Sequence, residues 1–330
     1  MKNFSPIPVL LILACCLALA ACSQPKTEKA TPKEGLTNPF FGVAPADTPQ
    51  LLAPGILSAS TTEYNGTFNP PGTEFYYTTE VGGKGYITFT KMGPNNQWTS
   101  PEIAPFSGTY SEYDPLFSPD GNRLYFTSRR PLPESEETGN AYIWYLDRQE
   151  TGWSAPQPLF LTTKGDYHSS VTRTGTIYFN IWQTGDIYKA TPSDTGYVVE
   201  ALPDAINGRR DVGDPFISPD EDYLIFRGYF REGYGMGDLY ISFNIEGEWT
   251  APENLGPQIN SSRHEMCPSV TPDGKLFVFS SNRLTDLPNN PSLEELNEKF
   301  TSHDNGLRNL YYQSAGFIQE LKQKYTKENQ

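Results

Sequence analysis

The chain has 330 residues and a formal net charge of −14 at pH 7. This acidic balance argues against nucleic-acid binding and against a polybasic contact with membranes. Aromatic residues make up 13% of the chain, and a chain of this length can bury a large apolar core without disulfides.

The N-terminal residues have the composition of a targeting segment followed by a tether. Lys2 precedes an apolar run over Val9–Ala20 that is too short to span a bilayer, and the lipobox sequence LAAC ends at Cys22. We predict that residues 1–21 are a removed lipoprotein signal peptide, with an uncleaved anchor as the alternative. Lipidated Cys22 and a flexible tether over residues 22–43 would follow. The expected location is the outer membrane, facing the periplasm, with membrane contact only through the lipid on Cys22.

One motif recurs five times between residues 44 and 318. Each copy is a turn between two short apolar strands, and successive copies lie about 50 residues apart. The copies read Asn69-Pro70-Pro71-Gly72, Ser118-Pro119-Asp120-Gly121, Thr172-Arg173-Thr174-Gly175, Ser218-Pro219-Asp220-Glu221 and Thr271-Pro272-Asp273-Gly274. Short strands and turns at this period are typical of a β-propeller. We predict an all-β propeller of four-stranded antiparallel blades over residues 44–318, with five blades or alternatively six, and a C-terminal tail over residues 319–330.

The second repeat illustrates how a blade is predicted. Asp114–Ser118 and Arg123–Thr127 alternate as two strands around Pro119-Asp120-Gly121, where proline presets φ and glycine accepts a positive φ. Ala141–Leu146 and the segment that begins at Trp153 have the aromatic and β-branched content of a third and a fourth strand.

The pattern over residues 114–128 carries a resemblance. It reads Asp-Pro-x-x-Ser-Pro-Asp-Gly-x-x-Leu-x-Phe-x-Ser and resembles the PD40 (WD40-like) repeat of TolB-type propellers, over about residues 60–315. The resemblance implies an interaction module of the cell envelope, which would bind a protein partner or an envelope polymer such as a polysaccharide. It implies no cofactor. Because propellers support many activities, this is an expectation from the fold alone.

Two further segments are predicted from local patterns. Pro49–Ile56 resembles the fourth-strand segment Pro252–Ile259, so we expect it to supply the outer strand of the last blade and close the ring. Pro291–Phe300 has the pattern of a short capped helix.

Propeller geometry predicts which loops share a face. The turns between strands one and two lie on one face, whereas the inter-blade connections and the longer loops between strands two and three lie on the other, which is the expected functional face. The connections end at residues that should ring the mouth of the central channel, namely Asn65, Asp114, His168, Asp214 and Cys267. A second set is expected around it, namely Glu63, Glu112, Asp166, Asp211 and Glu265.

These rings predict a binding site in which arginines bond to ligand carboxylates. Its candidate residues are Glu112, Asp114, Asp166, His168, Arg210, Asp211, Asp214, Arg263, His264, Glu265 and Arg283. The structural alternative is that Asp114 and Asp214 cap the neighbouring connections. Cys267 is expected to be a small buried residue rather than a nucleophile.

A polysaccharide-cleaving enzyme, either a glycoside hydrolase or a lyase, is the alternative function. Its catalytic groups would be Asp114, His168, Asp214 and Glu265. An open acidic pocket with two carboxylates about 5–10 Å apart would favour hydrolysis, whereas a mouth closed by Tyr64, Tyr113 and Tyr167 would favour a binding platform. A divalent metal on His168 and His264 with a carboxylate is a further alternative, but no close ligand spacing supports it and no metal site is assigned.

Overall fold

The computed structural model describes residues 37–57, 60–133, 139–208, 211–229 and 232–328. The predicted signal peptide, Cys22 and the tether up to residue 36 lie outside the described residues. The described residues all belong to one unit, 32–330. Within those ranges, no helix combines the length and the apolar character needed to cross a membrane.

Five antiparallel sheets form the blades, and in four of them strand order follows the chain. Blade one contains β2 (Thr62–Phe68), β3 (Glu74–Val81), β4 (Lys84–Lys91) and β5 (Glu102–Ile103). Blade two contains β6 (Glu112–Phe117), β7 (Arg123–Ser128), β8 (Tyr142–Asp147) and β9 (Gln157–Pro158). Blade three contains β10 (Asp166–Val171), β11 (Ile177–Ile181), β12 (Asp186–Ser193) and β13 (Gly196–Ala201).

The last two blades depart from this pattern at their outer strands. Blade four contains β14 (Val212–Ile217), β15 (Tyr223–Tyr229) and β16 (Gly237–Ile245), and both β17 (Glu248–Trp249) and β18 (Glu253–Asn254) pair with β16. Blade five contains β19 (Glu265–Val270), β20 (Leu276–Ser281), β21 (Asn309–Ser314) and, as its outer strand, β1 (Gln50–Leu51). The predicted all-β propeller of five four-stranded blades is confirmed.

The ring is closed by the N-terminal strand. Gln50 pairs with Tyr312 and Leu51 with Tyr311, and the backbone N–H of Leu52 donates to Leu310 O at 2.8 Å. The prediction that this segment supplies the outer strand of the last blade is therefore confirmed.

The folded unit begins earlier than the predicted end of the tether at residue 43. A 3₁₀ turn over Pro39–Gly42 buries Phe41, which is 1% exposed and packs against Phe68 and Trp98. Trp98 Nε1 also donates to Asn38 O at 3.0 Å. Residues 37–43 are therefore part of the propeller, because their aromatic side chains fill the space between blades five and one.

The described part of the chain contains three α-helices outside the blades. α1 (Asp204–Asn207) lies in the connection between blades three and four, and α2 (Leu293–Thr301) confirms the predicted capped helix, with a capping box between Ser292 and Glu295. α3 (Gly316–Glu328) replaces most of the predicted C-terminal tail. It is held by buried Ile318 and by an ion pair of 2.7 Å between Lys322 and Asp222.

The apolar core lies between neighbouring blades. Tyr76 and Ile87 of blade one, for example, form one cluster with Phe126 and Trp144 of blade two. Because these large side chains occupy the wedges between sheets, the inner strands are left to line the axis with polar groups.

We predict that Leu52→Ala lowers the free energy of unfolding by about 2–5 kcal/mol, because it empties a fully buried site in the seam between blades five and one. Urea denaturation measures the loss. The matched control is Val198→Ala on the exposed side of β13, which should cost less than about 1 kcal/mol. Equal losses of unfolding free energy in the two variants would show that ring closure contributes little to stability.

Candidate functional site

Each inner strand bends at an equivalent residue beside the channel. The pairing of strands one and two shifts register at this point in all five blades. The residue at the bend has a φ between 49° and 55° and is Asn65, Asp114, His168, Asp214 or Cys267 in blades one to five. A β-bulge re-aims a side chain, and Asn, Asp and His adopt positive φ more readily than most residues. The structure thus places the five residues of the predicted ring at five equivalent bulges.

Each bulge is bonded to the blade that precedes it around the ring. Four of the five bulge N–H groups donate to a side chain on the second strand of that blade. The pairs are Asp114 with Thr78 (3.1 Å), His168 with Thr127 (3.0 Å), Asp214 with Asn180 (2.9 Å) and Asn65 with Ser280 (3.0 Å). The ring is therefore a network that joins blades rather than a set of independent side chains.

Blade four is the exception. Its equivalent second-strand residue is Arg227, which cannot accept a hydrogen bond. The N–H of Cys267 instead donates to Asp214 Oδ2 at 3.3 Å, and Arg227 Nε lies 3.0 Å from the same oxygen. Asp214 thus replaces the missing acceptor and also neutralises the buried guanidinium.

His168 lies between the two ring carboxylates. Its Nδ1 is 3.6 Å from Asp114 Oδ1 and 3.9 Å from Asp214 Oδ1. Burial alone would lower the pKa of His168, but the two carboxylates outweigh burial and raise it above its ordinary value. Burial likewise opposes ionisation of Asp214, yet the charges of Arg227 and His168 hold the pKa of this carboxyl below its usual range.

Asp114 is held by neutral donors. Asn65 Nδ2 donates to its Oδ1 at 3.0 Å, and Thr127 Oγ1 donates to its Oδ2 at 3.2 Å. Both ring carboxylates therefore already have partners within the protein.

A cavity of about 770 Å³ opens above the ring on the face of the inter-blade connections. The buried ring residues Asp114, Asp214 and Cys267 are among its lining residues. Its aromatic wall consists of Tyr64, Tyr113, Tyr167, Trp182 and Tyr229. Its other charged lining groups are Arg129, Lys164, Arg227, Arg308, Glu80 and Asp211. The tyrosines line the cavity together with the two ring carboxylates, and an open acidic cavity is one part of the arrangement expected for hydrolysis.

Four predicted site residues lie behind the channel wall instead, namely Glu112, Asp166, Glu265 and Arg283. Glu265 is fully buried and accepts from the N–H of Ser261 at 2.8 Å, and Glu112 accepts from the N–H of Gly108 at 3.0 Å. The three carboxylates hold the inter-blade connections, and burial raises the pKa of Asp166. They point away from the cavity because the bulge interrupts the alternation of side chains between the two faces of the strand.

The remaining predicted residues divide in the same way. Asp211 and His264 line the cavity, whereas Arg263 is exposed and is not among the lining residues. Arg210 lies outside the described residues.

His264 is buried, and among the residues that the structure describes none forms a hydrogen bond with its Nε2. Its ring packs edge-on against Tyr229 with centroids 5.1 Å apart. Burial first and the neighbouring charge of Arg227 second lower the pKa of His264 to about 4. The His264 side chain is therefore neutral at pH 7, and its pKa is shifted in the direction opposite to that of His168.

The sequence pointed less clearly to three cavity residues. Arg227 breaks the Thr, Thr, Asn and Ser series of second-strand acceptors, so an alignment of the repeats could have singled it out. Trp182 is 74% exposed and contacts Tyr167 with ring centroids 5.7 Å apart. Arg308 lies over the ring of Tyr64 at 5.4 Å from its centroid. Only the folded chain brings Trp182 and Arg308 to this cavity.

The fold and this site define a five-bladed β-propeller with a deep, charged central cavity. No protein-family model and no curated protein matches the chain.

Solved structures similar to it include propellers of different kinds. A putative TolB from Agrobacterium tumefaciens is 17% identical with a TM-score of 0.48, over 77% of this chain and 90% of that one. A family-43 endo-arabinanase from Bacillus licheniformis is 11% identical with a TM-score of 0.48, over 77% and 93%. TolB from Acinetobacter baumannii is 20% identical with a TM-score of 0.40, and this chain spans 43% of its length. Similarity at this level does not choose between binding and hydrolysis.

We predict that Arg227→Leu lowers the free energy of unfolding by about 3–5 kcal/mol, because it leaves the Asp214 carboxylate buried without its cation. Chemical denaturation measures the loss. Arg173→Leu is the control, since Arg173 and Asp220 form an exposed pair that should contribute less than about 1 kcal/mol. Similar losses in both variants would mean that the ring charges are well solvated.

We predict that His264 makes the protein less stable in acid. The folded state resists protonation down to a pKa of about 4, so the unfolded state binds more protons and stability falls as the pH drops from about 6.5 to 4. His264→Gln should remove up to roughly 3 kcal/mol of this loss. Thermal unfolding across this pH range tests it. Above pH 7 the two proteins should show the same slope, and an unchanged slope in acid would contradict the assignment.

Proposed function

We propose that the protein is a binding propeller of the bacterial envelope, anchored in the outer membrane through lipidated Cys22 and facing the periplasm. Its ligand site is the central cavity, and its partner is an envelope protein or an envelope polymer. The acidic chain gives no basis for nucleic-acid binding.

The pairing of the ring carboxylates is the observation that carries this proposal. Glycoside hydrolysis needs one carboxyl group that stays protonated and is free to reach the leaving oxygen. Asp214 is instead ion-paired with Arg227, and its pKa is lowered. Asp114 accepts hydrogen bonds from Asn65 and Thr127. These contacts favour a stable polar base for a ligand over an acid–base pair.

The cavity lining indicates the chemistry of the ligand. Arg129, Lys164 and Arg308 offer cationic groups, and Arg308 can form two parallel bonds to one carboxylate. Trp182 presents an exposed aromatic face beside them. This combination suits a partner that carries carboxylates next to flat apolar surfaces, such as an acidic peptide segment or a sugar chain.

Polysaccharide hydrolysis is the second candidate, and one observation favours it. Asp114 and Asp214 both line the base of an open cavity, and each has an oxygen within 4 Å of His168 Nδ1. Two carboxylates so close together are what a glycosidase uses.

A capture experiment tests the binding proposal. Immobilised protein is presented with solubilised envelope proteins and, separately, with envelope polysaccharides, and saturable retention is measured. Because both charges line the cavity, the double variant Asp211→Lys, Arg308→Glu should weaken capture about tenfold or more, equivalent to about 1.4 kcal/mol. Asp273→Lys on the opposite face should leave capture within about twofold of the native protein. If Asp273→Lys weakened capture and the cavity variant did not, the chosen face would be wrong.

The enzyme candidate is tested on the same polysaccharides by the release of new reducing ends. Turnover that disappears in Asp214→Asn, with the variant still folded by circular dichroism, would make the cavity an active site. Saturable capture without turnover would support the binding platform.

A further inference from the structure

Chemically diverse ligand groups converge at the base of the cavity. Asp114, His168 and Cys267 each offer one ligand atom, and these atoms all lie within 4.8 Å of one another. All three residues are buried, and they come from three different blades. Asp214, from a fourth blade, lies beside them.

The spacing of these atoms matches a tetrahedral metal shell. Zinc binds nitrogen and oxygen at about 2.0–2.2 Å and sulfur at about 2.3 Å, so neighbouring ligand atoms in a tetrahedron lie about 3.3–3.8 Å apart. His168 Nδ1 is 3.6 Å from Asp114 Oδ1 and 3.9 Å from Asp214 Oδ1. Cys267 Sγ is 3.8 Å from Asp214 Oδ2. The last two distances involve different oxygens of Asp214, so a rotation of this carboxylate that brings one oxygen near both His168 Nδ1 and Cys267 Sγ would complete the shell.

Neighbouring side chains bond to the proposed ligands and hold them in position. Arg227 holds the Asp214 carboxylate at 3.0 Å. Thr127 Oγ1 donates to Asp114 Oδ2, and Asn65 Nδ2 donates at 3.0 Å to Oδ1, the Asp114 oxygen that lies 3.6 Å from His168 Nδ1. Such outer partners fix the orientation of metal ligands. The charges also balance, because two carboxylates and a thiolate would be neutralised by one guanidinium and a divalent cation.

We propose that this ring binds a divalent transition metal of the zinc type through Asp114, His168, Asp214 and Cys267. The sulfur and nitrogen ligands select zinc or a similar ion over calcium or magnesium. The metal would join blades two, three, four and five at the axis and set the floor of the cavity. Unlike the metal site considered from the sequence, this site includes Cys267 and Asp114 and does not include His264 or Glu265. It does not depend on the proposed ligand of the cavity.

The test uses the full chain purified without chelator. Bound metals are measured by mass spectrometry, and the stripped protein is then titrated with Co²⁺ and Zn²⁺. We expect about one ion per chain and, with Co²⁺, the near-ultraviolet charge-transfer band of a thiolate ligand. Cys267→Ala should abolish that band, and both Cys267→Ala and His168→Gln should weaken Co²⁺ binding by at least roughly 100-fold. His264→Gln, which changes a lining histidine outside the ligand set, should bind Co²⁺ like the native protein.

If a variant fails to fold, measurements on the native protein alone can still contradict the proposal. Folded native protein that takes up no Co²⁺ or Zn²⁺, or that binds Co²⁺ without a thiolate band, contradicts the site. A thiolate band that persists in Cys267→Ala also contradicts it, because the sulfur would then come from another cysteine. Zn²⁺ should raise the melting temperature of the native protein but not that of folded Cys267→Ala.

Discussion

The propeller depends on one repeated interaction, in which the N–H of a bulged inner-strand residue donates to a side chain of the preceding blade. Thr78, Thr127, Asn180 and Ser280 accept four of these bonds at 2.9–3.1 Å. Each bond fixes the angle between two sheets and holds a residue at positive φ, a conformation that costs free energy unless its surroundings impose it. Blade packing and the position of the ring side chains therefore have the same cause.

Arg227 changes the chemistry of the axis because it occupies the acceptor position of one blade. A buried guanidinium requires an anion, and Asp214 at 3.0 Å supplies it. Burial first and Arg227 second lower the pKa of His264. Burial and Arg227 also act to lower the pKa of His168, but Asp114 and Asp214 outweigh them and raise it, so the pKa values of these two buried histidines shift in opposite directions.

The sequence predicted the blades, the closing strand and the ring because each rests on a local, repeated pattern. The ring followed from aligned repeats, since equivalent positions in a propeller must face the same axis. Glu112, Asp166 and Glu265 of the second set do not line the cavity. A bulge reverses the alternation of side chains between the two faces of a strand, which a sequence pattern takes to be regular. Trp182 and Arg308 stand on loops without a repeat partner, and the four converging ligand groups come from separate blades, so no short spacing reveals them. The burial of Phe41 depends on two distant blades and could not be read from its neighbours.

The outer strand of blade five has a consequence for how the protein is made. A chain is synthesised from its N-terminus, yet the pairing of Gln50 with Tyr312 needs a residue that emerges long after Gln50. Until β21 is available, Phe41 and Leu52 cannot be buried between blades one and five, and these two blades cannot pack against each other. Such long-range contacts form slowly, so the first four blades must remain an open arc with one apolar flank exposed to solvent. Newly made protein should therefore be most vulnerable to aggregation and proteolysis in the interval before its final strand, β21, becomes available.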